Sequence, residues 1–466
     1  MCGNCTPTLA SHPLPLRFTG CRPPRGDTPA VTTRLQRSLL LVTRQLWFRA
    51  GMFSLVAVGA ALLAKQVDGY LPADMPFKVS PEAVTSILGA LASSMLAVTI
   101  FSLSTLVSAL AAATSGVTPR ARGLLQGDRA ALNALSTFLG AFLFSLVGMI
   151  ALQTGYYGER GRLVLFVATL GMVAVVVVTL VRWIDHVSSL GGVTETAERI
   201  EEVAAGALAD RARRPYLGAQ PFPGATPQGS PVLAPSTGYL QHVDAAKLQA
   251  IAEERGARIY VLALPGTFLT TATRVAIVER EAGEPCDDGM AKRIRAALTV
   301  AHSRSFDQDP RFGLLVLSEI ASRALSPAVN DPGTAIGVIG RSLRLLLDFD
   351  PARESAPEFD RVFAPAIDPD DLVTDAFAAI ARDGASNPDV GLRLQKALHA
   401  LVTEGATGVS QAAARLSTYA MLLARDALQS LHDMPRLADV ADAIARDAAA
   451  RHAAPGGTGQ PTSPRN

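Results

Sequence analysis

The densest run of residues able to do chemistry is HSRSFDQDPRFG at 302–313, followed by SEIASRALSPAVNDPGTAIG at 318–337. If Arg304, Gln308, Asp309, Arg323, Asn330 and Asp331 converge, they make one buried polar network. Such a network can bind a small anionic or polar ligand, or it can fix the arrangement of helices around it. A local reading competes with this one. Asp309-Pro310 and Asp331-Pro332 share the grammar of a helix start, with Asp as N-cap and Pro at the first helical position. Asp368, Asp370 and Asp371 also precede a helix, where capping and the helix dipole account for them.

The search for catalytic patterns returns little. The chain has no phosphate-binding GxxxxGK[ST] loop, no HExxH and no GxSxG elbow. His186, His242, His302, His399 and His432 share no metal-ligand spacing, and His432 stands beside Asp433, where neighbours on a helix point apart. Cys2, Cys5 and Cys21 with His12 form a nominal four-ligand set, but among Pro, Thr and Arg without any apolar pattern, so a tail is expected there. Cys286 stands alone, and no disulfide framework is implied. No cofactor and no metal are expected, and an enzymatic role is disfavoured.

The elements that must position the polar run begin in a block of low charge. Only 18% of the 466 residues are charged, against about a quarter in ordinary soluble domains. Four stretches reach membrane-spanning length: 46–64, 83–119, 130–154 and 163–181. The second carries no charged residue from Ala83 through Pro119, and about 20 apolar residues already suffice to cross the hydrocarbon. Its small residues Ala90, Ala97, Ser104 and Ala111 recur at heptad spacing, with Ser86, Ser93 and Ser108 on the same side. That stripe suits either close helix packing within the bundle or the lining of a hydrated path in an oligomer. No span carries a titratable group at its centre and no broken-helix repeat occurs, which disfavours coupled transport.

Positive charge sets the expected topology. Arg17, Arg22, Arg25, Arg34, Arg37 and Arg44 precede the first span, and Arg120, Arg122 and Arg129 follow the second. The N-terminus and the C-terminal half are therefore expected in the cytoplasm. The net charge of +2 gives no support for nucleic-acid binding.

Beyond the spans, a tail (1–44) and a four-span region (45–183) give way to a connecting helix and Pro/Gly-rich linker (184–236). A small β-α-β-β unit is expected at 237–285: strand 238–243, a helix capped by Asp244, then strands at 258–264 and 273–279. A helical domain (286–450) and a second tail (451–466) complete a mainly α chain.

Several strings resemble a known family. FSLSTLV (101–107) and TPRARGLLQGDRAALNALSTFLGAFLFSLV (118–147) are similar to bacterial predicted membrane proteins of domain-of-unknown-function family 2254. GYLQHVD (238–244), PGTFL (265–269), QDPRFGL (308–314) and RALSPAVNDPGTA (323–335) resemble its other recognisable blocks. Thr118 stands where that family has Ser, and Leu139 interrupts the expected Gly-rich run. The resemblance covers about residues 45–445 and implies architecture without an activity. Two functional readings follow from the residues. One is a homo-oligomeric channel with a cytoplasmic regulatory domain. The other is a membrane-anchored sensor or scaffold that binds a small ligand or protein partner.

Overall fold

The apolar stretches of the first half fold as long helices because a helix satisfies every backbone polar group within its own segment. The computed structural model describes residues 80–116, 118–121, 129–189, 192–223, 227–280, 283–351, 356–428 and 432–453, together with Gly51, Leu55 and Gly59. Residues 1–42 and 43–466 are separate units, and the fold described here belongs to the second. The expected first span at 46–64 lies outside the described residues apart from those three positions.

Helices α1 (Pro81–Gly116), α2 (Arg129–Gln153) and α3 (Glu159–Ser189) each contain a segment long and apolar enough to cross a membrane. At 1.5 Å per residue the 36 residues of α1 extend about 54 Å, well beyond a hydrocarbon core of about 30 Å. Helix α2 is the inner member: 56% of its apolar window is buried, against 28% for α1 and 17% for α3. The small residues that permit this close packing are on α2 itself. Ala131, Ala134 and Ala141 are buried, and a Cβ at Gly148 would come within 3.3 Å of Leu88 and 3.4 Å of Leu165. The side of α1 turned inward consists of Val84, Leu88, Leu91, Ala92 and Met95. Several buried hydroxyls bond back along their own helices, Ser136 to the Leu132 carbonyl, Ser145 to Ala141 and Thr169 to Leu165, whereas the buried Ser102 hydroxyl of α1 makes no such bond. Bonding back spares those three an unsatisfied polar group in an apolar setting.

After α3, helix α4 (Val193–Arg213) leads into the mixed half of the chain. Eight strands follow among the described residues, β1 (Gln220–Pro221), β2 (Ser230–Leu233), β3 (Gly238–Val243), β4 (Ala257–Val261), β5 (Phe268–Leu269), β6 (Arg274–Arg280), β7 (Leu298–Ala301) and β8 (Val362–Ala364). They form a five-stranded sheet in the order β1-β8-β4-β6-β2 and a three-stranded sheet in the order β5-β3-β7. Helices α5 (Ala245–Glu254) and α6 (Asp288–Arg295) pack on them. Strand β3, the α5 cap Asp244 (which accepts from the Lys247 amide at 3.0 Å) and strands β4 and β6 fall where sequence pattern places them.

The α+β unit nevertheless draws on more chain than 237–285. The linker contributes β1 and β2, β7 comes from residues 298–301, and β8 arrives from residues 362–364 to pair in parallel with both β4 and β1. A three-residue strand carries no readable alternation, and parallel pairing across about a hundred residues leaves no local signature. Strand β3 also belongs to a different sheet from β4 and β6, so the expected β-α-β-β element is divided between two sheets.

The remainder is helical: α7 (Pro310–Ala324), α8 (Pro332–Leu347), α9 (Pro369–Asp383), α10 (Pro388–Glu404), α11 (Thr407–Ala427) and α12 (Asp433–Ala453). Their core joins that of α4 through Ile200, Ala204, Leu208, Leu314, Leu317, Phe377 and Leu398. Helix α7 approaches α4 so closely that a Cβ on Gly313 would stand 2.4 Å from the Ala204 Cβ.

Candidate functional site

The run 302–313 forms the hinge between β7 and α7, and a polar junction is assembled there. The Arg304 guanidinium donates from Nε to Asp309 Oδ2 at 2.7 Å and from Nη2 to Oδ1 at 2.9 Å. This two-pronged geometry matches the fork of Arg to the carboxylate and strengthens both bonds. Arg304 also lies over the Phe312 ring, 5.1 Å from its centroid, and Phe306 packs against Phe312 at 4.5 Å. Asp309 is 1% exposed. Burial pushes its carboxyl above the usual carboxylate range, with the Arg304 hydrogen bonds pulling the other way.

Gln308 reads the end of β3. Its Oε1 accepts from the Val243 amide at 2.9 Å, and its Nε2 donates to the Val243 carbonyl at 3.4 Å. The Gln308 carbonyl in turn accepts from Arg211 Nη2 on α4 at 3.1 Å. Arg211 is buried, and desolvation lowers its pKa to about 10 although the nearby Asp309 and Asp210 charges oppose that shift. It stays charged at neutral pH. Gly266, in the turn before β5, closes the junction with φ of +99°, and a Cβ there would stand 2.5 Å from Asp309 Oδ2. The strings GYLQHVD, PGTFL and QDPRFGL thus meet at one place.

The other three candidates lie elsewhere. Arg323 is exposed near the end of α7, and Asn330 and Asp331 are exposed in the turn to α8. Asn330 adopts a left-handed backbone with φ of +50°, and its amide donates to the Ser326 carbonyl at 2.8 Å. Asp331 caps α8, accepting from the Thr334 amide at 3.1 Å. The two Asp-Pro steps therefore differ: Asp331 uses its carboxylate as a cap, whereas Asp309 makes no capping bond and turns to Arg304. Asp368 caps α9 through the Asp370 amide, while Asp370 and Asp371 pair with Arg415 and Arg311.

Arg211 is missed from sequence because it lies in a charged run, residues 210–214, of the kind that usually forms a solvated helix end. A signal existed in the spacing Ala197, Ile200, Ala204, Leu208 and Arg211, which puts the arginine on the buried stripe of α4. Beside it a cavity of about 30 Å³, lined by Ala207, Asp210, Arg211, Arg214, Leu217 and Gln308, has room for a water or two. The junction's own groups occupy one another, so its chemistry is that of fixing two elements together. No group of His, Cys, Asp and Glu side chains able to hold a metal occurs among the described residues, and Cys286 is a free, half-buried thiol.

The helix-packing or pore-lining candidates share one placement. Ala90, Ala97, Ser104, Ser108 and Ala111, with Ser86 and Ser93, are all exposed on the side of α1 turned away from α2 and α3. The exposed side of α1 also carries Leu96, Ile100, Phe101, Leu103 and Val107, and α3 exposes Val167, Leu170, Val175, Val177, Val178, Val181 and Ile184. At the C-terminal end of α1, the Thr118 hydroxyl donates to Glu319 Oε2 of α7 at 3.0 Å, and Arg120 pairs with Glu319 Oε1. The α1–α2 turn and the helical half therefore lie on one side of the apolar block.

Three membrane-length helices joined to a sizeable α+β and helical half define a multi-helix membrane protein with a large domain outside the apolar block. The chain belongs to the family described as "Predicted membrane protein (DUF2254)", whose model matches residues 43–400. Uncharacterised proteins of Mycobacterium tuberculosis and Mycobacterium bovis are 35% identical to it over 111 residues, covering 23% of this chain. The chain aligns with only 21% of the length of those relatives. No solved structure matches it.

Proposed function

We propose that this protein is a four-span, homo-oligomeric channel of the bacterial inner membrane, with a regulatory domain in the cytoplasm. The observation that carries the reading is the chemistry of the outward face of α1. Beside its exposed Leu96, Ile100, Phe101, Leu103 and Val107, α1 presents a heptad stripe of Ser and Ala from which acyl chains gain little. The exposed large side chains of α3, by contrast, are branched and suit them well. A second copy of α1 can approach closely over small residues, and hydroxyls facing a central axis solvate a water-filled path. The sensor or scaffold reading has less support, because the junction at 304–309 is filled by its own partners and the cavity beside it is water-sized.

Ser104→Leu is expected to disrupt assembly or conduction, since a branched side chain holds neighbouring helices apart, while Ser104→Ala preserves both. The native mass of the detergent-purified protein and planar-bilayer recording of each variant decide the matter. A monomeric parent, or a Leu variant identical to the parent in mass and conductance, defeats the proposal.

The Arg-rich flanks and the shared side of the α1–α2 turn and α7 support a cytoplasmic location for residues 185–466. Cys286 is then expected to stay unlabelled by a membrane-impermeant maleimide in intact spheroplasts and to react after lysis. Labelling before lysis reverses the topology.

A further inference from the structure

Among the described residues, Glu319 holds two residues just beyond the end of α1, Thr118 and Arg120, to the extramembrane half. Its two carboxylate oxygens are divided between the Thr118 hydroxyl and the Arg120 guanidinium. Thr118 is buried, and its hydroxyl also accepts from the Arg120 amide at 3.3 Å, so the turn after α1 is drawn into one small polar knot. Only Val117 separates that knot from Gly116, the last residue of α1.

The helix that carries Glu319 cannot easily yield. Leu317, Ile320 and Ala321 on α7 are buried in the helical core, and Gly313 rests on Ala204 of α4. At its N-terminal end α7 begins one residue after Asp309, the centre of the polar junction with Arg304, Gln308, Arg211 and the Gly266 turn. Helix α7 is therefore a strut of 15 residues, about 22 Å long, with one polar tie at its start and another, Glu319, two-thirds of the way along. Packed helices transmit small displacements because their interfaces have discrete arrangements and deform little between them.

We propose that Glu319 is a latch through which the junction at residues 304–309 sets the position of the C-terminal end of α1. This rests on the channel reading, for which it names the regulation: a change in how the α+β unit seats on Gln308 moves α7, and Glu319 passes that movement to the helix bearing the Ser/Ala face. A coupling of this kind requires evidence at both ends and along the strut.

Hydrogen–deuterium exchange on the full-length protein in detergent supplies it without any need for conduction. The amides of residues 108–121 are followed in the parent, in Gln308→Leu, in Glu319→Gln and in the double variant. Gln308→Leu is expected to speed their exchange severalfold although residue 308 lies at the far end of α7, and Glu319→Gln to do the same. The double variant is expected to match Glu319→Gln alone. Gln308→Asn, which withdraws the amide from Val243 by one methylene, replaces Gln308→Leu if the latter does not fold. Unchanged exchange at 108–121 in a folded Gln308 variant overturns the latch. So does an equal further increase in the Glu319→Gln background, which would show transmission by another route. Bilayer recording of the same variants addresses the channel separately, since absence of conductance in every variant defeats that reading and leaves the exchange result standing.

Discussion

Asp309→Ala is expected to destabilise the extramembrane half by about 3–5 kcal/mol, the usual cost of removing one partner of a buried ion pair. The carboxylate is 1% exposed and holds Arg304 through two bonds of 2.7 and 2.9 Å. Its loss leaves the Arg304 guanidinium without its partner and removes the charge that favours ionised Arg211. At about 2–4 °C per kcal/mol for a domain of this size, the circular-dichroism melting midpoint of the full chain in detergent should fall by roughly 10 °C. A midpoint within about 2 °C of the parent would count against a structural role for the pair.

Asp309→Asn should cost less than Asp309→Ala. It keeps the volume, and burial already disfavours the charged form at this position. The same shift determines the pH response. A carboxyl whose folded pKa is raised binds its proton more tightly in the folded chain than in the unfolded one. Its contribution is fully present below the unfolded pKa and is lost as pH rises through the folded value. Titration of Asp309 itself therefore does not weaken the fold on mild acidification.

Gly266→Ala is expected to cost about 3 kcal/mol from two independent sources. A Cβ at φ of +99° is strained by about 1–2 kcal/mol, and overpacking typically adds about 1–3 kcal/mol. The contact here is severe because the Cβ would meet Asp309 Oδ2 at 2.5 Å and its Cγ at 2.8 Å. Since the clash requires the carboxylate, the two substitutions should not add. In an Asp309→Ala background, Gly266→Ala should cost only the backbone strain of about 1–2 kcal/mol. Strict additivity in the thermal midpoints of the four-member cycle would mean that the Gly266 turn does not press on Asp309.

Legibility from the sequence followed the range of each interaction. Helices α1, α2 and α3 are readable as membrane-length apolar runs, because length and hydropathy are properties of one segment. The caps at Asp244 and Asp331 are readable for a similar reason, since donor and acceptor lie three residues apart. Asp309 shows where that reasoning ends. Its Asp-Pro step has the same local grammar as Asp331-Pro332, yet a guanidinium five residues upstream and a tight glycine turn claim its carboxylate. Arg211 and Gln308 are 97 residues apart, Gln308 and Val243 are 65, and Thr118 and Glu319 are 201. Nothing in a single chain's pattern announces such pairings.

The sequence by itself determined that this is a membrane protein with a large folded half outside its apolar helices, and it marked the residues rich in polar chemistry. The tertiary structure decided which of them meet. It joined Arg304, Gln308 and Asp309 with Arg211 and left Arg323, Asn330 and Asp331 on the surface. It also turned the small-residue stripe of α1 outward and gave close packing to Ala131, Ala134, Ala141 and Gly148 of α2. A helical period shows which residues share a face, but only the neighbouring helices decide which face is covered.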